Sequence, residues 1–522
     1  MNSFRDRLSP TWSRRQLFDA VVALAAGVGA VAGSYAVVGF RPAFVAAPVA
    51  GQVTALTPDV VITWAILTLG SVGQSLGFVL ALALTTLGAT AVVVAARVLG
   101  RTAGGGRLTT VAVSALAVGF GAVFLTASAP SALGAGLGAG IVLLIAGQPT
   151  SDAADGTSSP DRRGFLRVVA GAVAVAGGGA LLGSRTGTGA VAETAGTASD
   201  GRTGGTDDAV ISGLLATASD LTLDLPDLDP LVSRDFYQVD INSVDPDLLV
   251  DEWSLRVTGA VAEEREFGYE DLTAMPAEHR FVTLQCVGDA LNGTKIDTAL
   301  WTGVPIETVL PDLPDECCVM LRAADDYYEE FPMAALRNGF LAYRMNGLPL
   351  PRGHGYPVRA LIPGHWGEIN VKWLTEIEVL EEEVDGYWER RGWHGTGPVN
   401  TVAKFHSVSK TDTGVRVGGH AYAGTRGIDR VEVSVDGGGS WVEATLSDPL
   451  PGAVDAETGE SLRDEAEDAW RMWEHEYEAA EPHEVVVRAV DGTGTVQTEE
   501  EQRAFPRGAT GWVSREIDPR RL

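Results

Sequence analysis

Three positions in this chain of 522 residues offer a soft metal ligand: Cys286, Cys317 and Cys318. No two of them stand in a C-x-x-C or C-x-x-C-H pattern, which argues against iron–sulfur clusters and c-type haem. The adjacent Cys317 and Cys318 read as small core residues, and three thiols are too few for a disulfide framework. Cys286 has different surroundings. Gln285 before it, and Gly288 and Asp289 after it, indicate a strand end entering a loop, where a thiolate can reach a metal. The competing reading is one more buried core thiol. A soft sulfur ligand suits molybdenum as it suits other thiophilic metals. All eight histidines lie at or beyond His279, so the first half of the chain has no imidazole with which to hold a bis-histidine haem.

The elements that position these groups fall into two physically different parts. Up to residue 200 there are 8 acidic and 12 basic residues, net +4; beyond it there are 60 and 27, net −33. A nearly charge-free part rich in Ala, Val, Leu and Gly reads as membrane, and the acidic part as soluble protein. Only four of the later basic residues are Lys (Lys295, Lys372, Lys404, Lys410), which reads as a halophilic surface whose self-repulsion is screened by salt. Nucleic acid is disfavoured as a partner, because phosphate contacts need a basic face.

Within the first part, four stretches lack charge: 20–40, 60–96, 108–151 and 168–184. A crossing needs about 20 residues. The first spans once. The second is interrupted at Gly70 to Ser75, and the positive-inside rule favours one crossing, 77–98, after an interfacial helix. The third crosses twice with a break at Ser128-Ala-Pro-Ser131, and the fourth once. Arg5, Arg7, Arg14 and Arg15 inside, then Arg97, Arg101 and Arg107, then Arg162, Arg163 and Arg167, give about five crossings in residues 1–184, with everything later outside the cell membrane. Asp161-Arg-Arg-Gly-Phe-Leu-Arg167 resembles a twin-arginine export signal; an ordinary basic flank is the alternative. A flexible linker is expected over 185–214.

Residues 215–403 mix short apolar runs with turn signals and read as an α+β domain. From 404 to 522 the text is strand and turn only. Arg430 to Val435 alternates with period two, Asp436-Gly-Gly-Gly439 turns, and Trp441-Val-Glu443 returns, which predicts an immunoglobulin-like β-sandwich. The acidic stretch 455–470 reads as a surface excursion.

The stretch Leu341 to Leu380 resembles the sulfite oxidase family of molybdopterin enzymes. The likeness rests on Ala342-Tyr-Arg-Met-Asn-Gly-Leu-Pro-Leu-Pro351, His354-Gly-Tyr-Pro-Val-Arg359, Pro363-Gly364 and Val371-Lys-Trp373. Leu284-Gln-Cys-Val-Gly288 with Trp301-Thr-Gly-Val-Pro305, the Phe236-Tyr237 pair and Trp253 to Gly259 extend it upstream. Gly418-Gly-His-Ala-Tyr422 and Val433-Ser-Val-Asp-Gly437 resemble the family's dimerisation domain, which implies a homodimer through the tail.

The resemblance implies a molybdenum–molybdopterin cofactor, with Cys286 as the protein's metal ligand beside two dithiolene sulfurs. It places Arg359 and Lys372 at the pterin phosphate, His354 against the pterin, and Asn370, Tyr237 and Gln238 at looser contact positions. Tyr327, five residues before Pro332, takes the place of the family's active-site tyrosine. One departure stands out. Where sulfite-oxidising members carry paired arginines, this chain has Ala290 and Leu291, and Gln238-Val-Asp240 follows the Phe236-Tyr237 pair where an arginine is expected. The periplasmic sulfoxide reductases of the superfamily also lack that pair, and Lys295 is the nearest replacement cation in sequence. The expectation is an outward-facing, membrane-anchored oxidoreductase, moving an oxygen atom and two electrons between a small oxyanion or sulfoxide-type substrate and an external redox carrier, without haem or iron–sulfur in this chain. The alternative is a membrane-tethered surface binding protein with a degenerate molybdenum fold.

Overall fold

The computed structural model describes residues 14–69, 71–146, 169–184, 206–310 and 317–522. The twin-arginine stretch and most of the expected linker lie outside these. The chain divides into two compact units, one of residues 1–198 with 240–247, the other of 199–239 with 248–522.

The first unit is helical: α1 (Arg14–Val38), α2 (Ala47–Leu56), α3 (Asp59–Leu69), α4 (Ser71–Thr102), α5 (Arg107–Thr126) and α6 (Ala129–Ala146), then α7 (Val169–Ser184). Among the described residues four helices, α1, α4, α5 and α6, are long and apolar enough to cross a membrane, while α2 and α3 form a pair bent by 105° and α7 is shorter. The expected break in the third apolar stretch is present: Ala127 turns left-handed (φ 52°) between α5 and α6. Helices α1 and α6 approach backbone to backbone, because a side chain at Gly29, Gly33, Gly134 or Gly138 would strike the other helix. A buried Ser34–Ser131 hydrogen bond of 2.8 Å crosses the same seam.

The second unit begins with α8 (Thr206–Asp220), which corrects the expected linker: the helix starts inside it. Two acidic residues in its first turn suit the helix dipole, and one of them, Asp207, reaches Arg344 at 2.8 Å and His279 at 2.9 Å. The strands that follow are β1 (Ser254–Gly259), β2 (Arg265–Gly268), β3 (Glu278–Gln285), β4 (Ile296–Pro305), β5 (Cys318–Ala323), β6 (Tyr328–Pro332), β7 (Phe340–Met345), β8 (Leu348–Pro349), β9 (Arg359–Leu361) and β10 (Leu374–Leu380). One sheet runs β2-β1-β10-β5-β6, and a second contains β3-β4-β7-β8 with β9 on β7. Every residue of β4 is buried, so this strand is interior on both faces. Cys318 is buried as expected, whereas Cys317 is exposed and bonded to it as a disulfide, a pairing the core-thiol reading did not foresee.

The tail contains β11 (Val402–Ala403), β12 (Ser407–Lys410), β13 (Val415–Tyr422), β14 (Ile428–Ser434), β15 (Val442–Glu443), β16 (Thr445–Leu446), β17 (Val454–Asp455), β18 (Arg471–Tyr477), β19 (His483–Asp491) and β20 (Val513–Ile517). Two antiparallel sheets, β11-β13-β18-β16 with β12 on β13, and β15-β14-β19-β20, share a core that includes Phe405, Val417, Val433, Trp473 and Val487. The expected hairpin is present, Val433 pairing with Val442. The acidic stretch is a surface excursion over most of its length, exposed from 457 to 467 apart from Gly459 and Ala466, but its ends are anchored: β17 adds an edge strand to β3, and Asp468, Ala469 and Trp470 are buried.

Candidate active site

Cys286 is the first residue beyond β3. Its N–H donates to the Lys295 carbonyl (3.0 Å), closing the β3–β4 connection, and its own carbonyl accepts from the Asp289 N–H (3.0 Å). The thiol is half-buried and burial pushes it up to about 11, with Lys295 and the Gly288 N–H pulling the other way. Facing the loop is Gly367. A methyl group there would lie 2.8 Å from the Tyr237 hydroxyl and 3.7 Å from the Cys286 Cα, so these three segments meet where only glycine fits. The Tyr237 backbone is held by Asp297 (2.7 Å), and its phenol is raised by burial and then by the nearby Cys286.

The rest of the cysteine loop is fastened by a residue that the sequence reading passed over. Lys404 is fully buried, and its ammonium donates to Asp289 Oδ2 (2.7 Å) and to the carbonyls of Gly293 (3.0 Å), Leu291 (3.3 Å) and Ala290 (3.4 Å). Asn292 adds reciprocal bonds to Phe405. Ala290 is exposed and Leu291 packs against the core of the β-sandwich. The only sequence signal for Lys404 was its rarity, as one of four lysines.

A basic cleft is built from β9 and the turn before it. The Arg359 guanidinium donates to the carbonyls of His354 (3.2 Å) and Asn370 (3.0 Å) and lies 5.3 Å from the Trp301 ring. The Lys372 ammonium donates to the Gly353 carbonyl (2.9 Å). Gly355, at φ +106°, lets the turn approach both: a Cβ there would lie 3.0 Å from the Arg359 side chain and 3.1 Å from Lys372. His354 is pushed down to about 4, first by burial and then by the charges of Arg359 and Lys372, so the cleft is positive. The Gln238 amide lies against Gly353, and Phe236 stacks on Tyr237 and edge-on to His354. Buried Asn370 accepts from the Ile362 N–H (2.7 Å) and donates to Trp366 (2.9 Å), so it shapes the cleft wall. Trp373 is held at φ +49°, an unusual conformation for a bulky residue, immediately after Lys372.

Tyr327 stands apart from this cleft. Its hydroxyl lies 2.8 Å from the Glu368 carbonyl and 3.0 Å from Glu329 Oε2, and so joins the cysteine loop through the Gly367–Glu368 turn. Around it are Tyr387, Trp388 and Trp393 in successive edge or tilted contacts, with Trp393 reaching toward Gly288. The carboxylates of Glu329, Glu368 and Glu389 converge on the same region. Sequence reading missed all three, since single glutamates in an acid-rich chain carry no signal. Of the expected residues, the fold packs Cys286, Tyr237, Gln238, His354, Arg359, Asn370 and Lys372 into one connected group, while Tyr327 stands to one side among carboxylates and aromatic rings.

The donor set fits the implied cofactor: a loop-end thiol for a soft metal, and two fixed cations with a histidine held neutral, suited to a phosphate. Comparison with known proteins agrees. The family described as oxidoreductase molybdopterin binding domain matches residues 241–388, and that described as Mo-co oxidoreductase dimerisation domain matches 399–509. The mitochondrial sulfite oxidase of Rattus norvegicus is 30% identical over 307 residues, covering 48% of this chain and 54% of that protein. Sulfite oxidase of Arabidopsis thaliana is 27% identical over 305 residues, covering 47% and 77%, and an inducible NADH nitrate reductase of Glycine max is 27% identical over 274 residues, covering 39% and 30%. The chain thus spans about half the length of the animal relatives it matches. The sulfane dehydrogenase SoxCD of Paracoccus pantotrophus aligns with a TM-score of 0.44 at 18% identity, over 57% of this chain and 87% of that one.

Proposed function

We propose, for a chain that belongs to the sulfite oxidase family of molybdopterin oxidoreductases, that it transfers an oxygen atom, with two electrons, between a small substrate and an external carrier while anchored to the cell membrane. The observation that carries this reading is the Cys286 loop end packed on Tyr237, whose neighbour Phe236 packs on a neutral His354 beside Arg359 and Lys372. When bound, the molybdenum centre supplies the two-electron, oxygen-atom chemistry. Cys286 is its protein ligand, and coordination holds as thiolate a group that burial alone keeps protonated. Arg359 and Lys372 hold the pterin phosphate, with His354, Asn370, Tyr237 and Gln238 lining the cofactor. Tyr327 is the candidate phenol for the substrate oxygen, and its single O–H, here donated to the Glu368 carbonyl and Glu329, would have to turn from them to reach it.

The substrate we favour is neutral, of sulfoxide type, rather than a dianion. Neither Ala290 nor Leu291 supplies a cation, and Tyr327 is surrounded by carboxylates and aromatic rings. The tail, read as an immunoglobulin-like sandwich, pairs two copies. The helical unit crosses the membrane about five times and leaves the enzyme outside. Assaying the purified protein with sulfite, sulfoxides and N-oxides, using artificial electron carriers, tests the reading. Turnover of a sulfoxide that disappears in Cys286→Ser is the expected result, and protein that contains no molybdenum when made in a molybdenum-replete host overturns it.

A further inference from the structure

The three glutamates around Tyr327 present a problem in electrostatics. Glu329 is wholly buried and Glu368 nearly so, and each gives one oxygen to the protein: Glu329 Oε2 accepts from the Trp388 N–H (3.2 Å), and Glu368 Oε1 from the Gly395 N–H (3.4 Å). The other oxygen of each, with both oxygens of Glu389, is buried and has no hydrogen-bond partner. Four buried carboxylate oxygens therefore lack a protein donor, and one oxygen from each residue lies within 4.8 Å of the others. Like charges so placed require either shared protons or a cation between them.

We propose that Glu329, Glu368 and Glu389 bind a hard divalent cation of the calcium class. One carboxylate oxygen from each residue lies within 4.8 Å of the others, so a single ion can touch all three. Mg2+ demands a near-ideal octahedron and is usually held by only one or two carboxylates and several waters, so three carboxylates suit Ca2+ better. The donors are all oxygen, which excludes the thiophilic metals. Two glycines close the cradle: a side chain at Gly386 would collide with Glu329 and Glu389, and one at Gly395 with Glu368. The ion would lie next to the Tyr327 hydroxyl through the shared carboxylate of Glu329, so it would also fix the direction of that phenol.

Terbium luminescence tests the site, because Tyr327, Tyr387 and Trp388 are close enough to sensitise Tb3+. The detergent-solubilised full chain is stripped with a chelator and titrated with Tb3+ in molar potassium chloride, which suppresses binding to the acidic surface. We expect one Tb3+ per chain, displaced by Ca2+, at least tenfold weaker in Glu389→Gln and unchanged in the exposed control Glu499→Gln. Emission equal in wild type and Glu389→Gln overturns the proposal. Should Glu389→Gln fail to fold, calcium analysis of wild type equilibrated with micromolar Ca2+ in the same salt decides: about one per chain supports the site, and none removes it.

Discussion

Removing the Lys404 ammonium tests whether the cysteine loop is held by the β-sandwich. In Lys404→Met the stem volume is nearly kept, but the Asp289 carboxylate, 2% exposed, loses its 2.7 Å partner. The carbonyls of Ala290, Leu291 and Gly293 lose a donor at 3.0–3.4 Å. What remains for Asp289 is the Lys295 N–H at 3.1 Å. Breaking one partner out of a buried pair costs about 3–5 kcal/mol, because the surviving charge stays desolvated. That is a large part of the about 5–15 kcal/mol that holds a domain folded. Adding Asp289→Asn removes the stranded charge, so the double variant should recover about 2 kcal/mol or more of the loss rather than add to it. Denaturant unfolding, followed by tryptophan fluorescence in high salt, measures the cycle; Trp473 reports locally, since its indole donates to the Lys404 carbonyl at 3.0 Å. Molybdenum content per chain should fall in Lys404→Met, because Cys286 and Asp289 belong to one loop. A cost under about 1 kcal/mol with full metal content would refute the argument.

Cys286→Ser should leave the circular dichroism unchanged while abolishing molybdenum in elemental analysis, an alkoxide being a poor match for a soft metal; equal metal content would remove Cys286 as ligand. Asp468, buried and raised to about 7, contributes stability that is full below about pH 4 and lost as pH rises through about 7. The thermal midpoint should therefore fall between pH 5 and 8 less steeply in Asp468→Asn than in wild type, and equal slopes would contradict this. Reporter fusions after residues 103, 155 and 210 should read inside, inside and outside, and an inside signal at 210 would defeat the topology. Sulfite should be a poor substrate: a missing buried cation costs about 2–5 kcal/mol, or roughly 30- to 5,000-fold. A kcat/KM of about 10⁶ M⁻¹s⁻¹ or more with sulfite would sink that reasoning.

How much of this was legible from residues alone depended on the range of the interaction. Cys286, His354, Arg359 and Lys372 were singled out because the runs around them resemble a family, and the fold places those runs at a strand end, a helical turn, a strand and the loop before β10. The hairpin at Asp436 was readable from its own residues, period-two alternation meeting a glycine turn. What failed was nonlocal. Lys404 and Asp289 are separated by 115 positions, and a lone Lys and a lone Asp announce nothing until the fold buries them together. The strand at Val454 was hidden by charge, since its few apolar residues bury only because β3 presents an open edge. Helix α8 was masked by the Gly- and Thr-rich text before it, although Asp207 and Asp208 at its start were a helix signal.

The same distinction bears on the missing arginines. Read in sequence, Ala290 and Leu291 are two lost cations at the mouth of a metal site. In the fold, the Leu291 side chain packs against the sandwich core, and the carbonyls of both residues point to Lys404. Replacing them with arginine would therefore not restore a clamp: a guanidinium at position 291 would enter an apolar core, and one at exposed 290 would stay in water. The charge around Tyr327 is set elsewhere, by Glu329, Glu368 and Glu389. Around the proposed divalent ion, three ionised carboxylates would keep one negative charge, and without it burial and mutual repulsion push Glu329 and Glu368 toward the protonated form, so the end beside Tyr327 offers no cation to an incoming dianion. Neutralising Glu389 should thus raise the relative rate with anionic substrates, whereas Leu291→Arg should lower stability without helping sulfite.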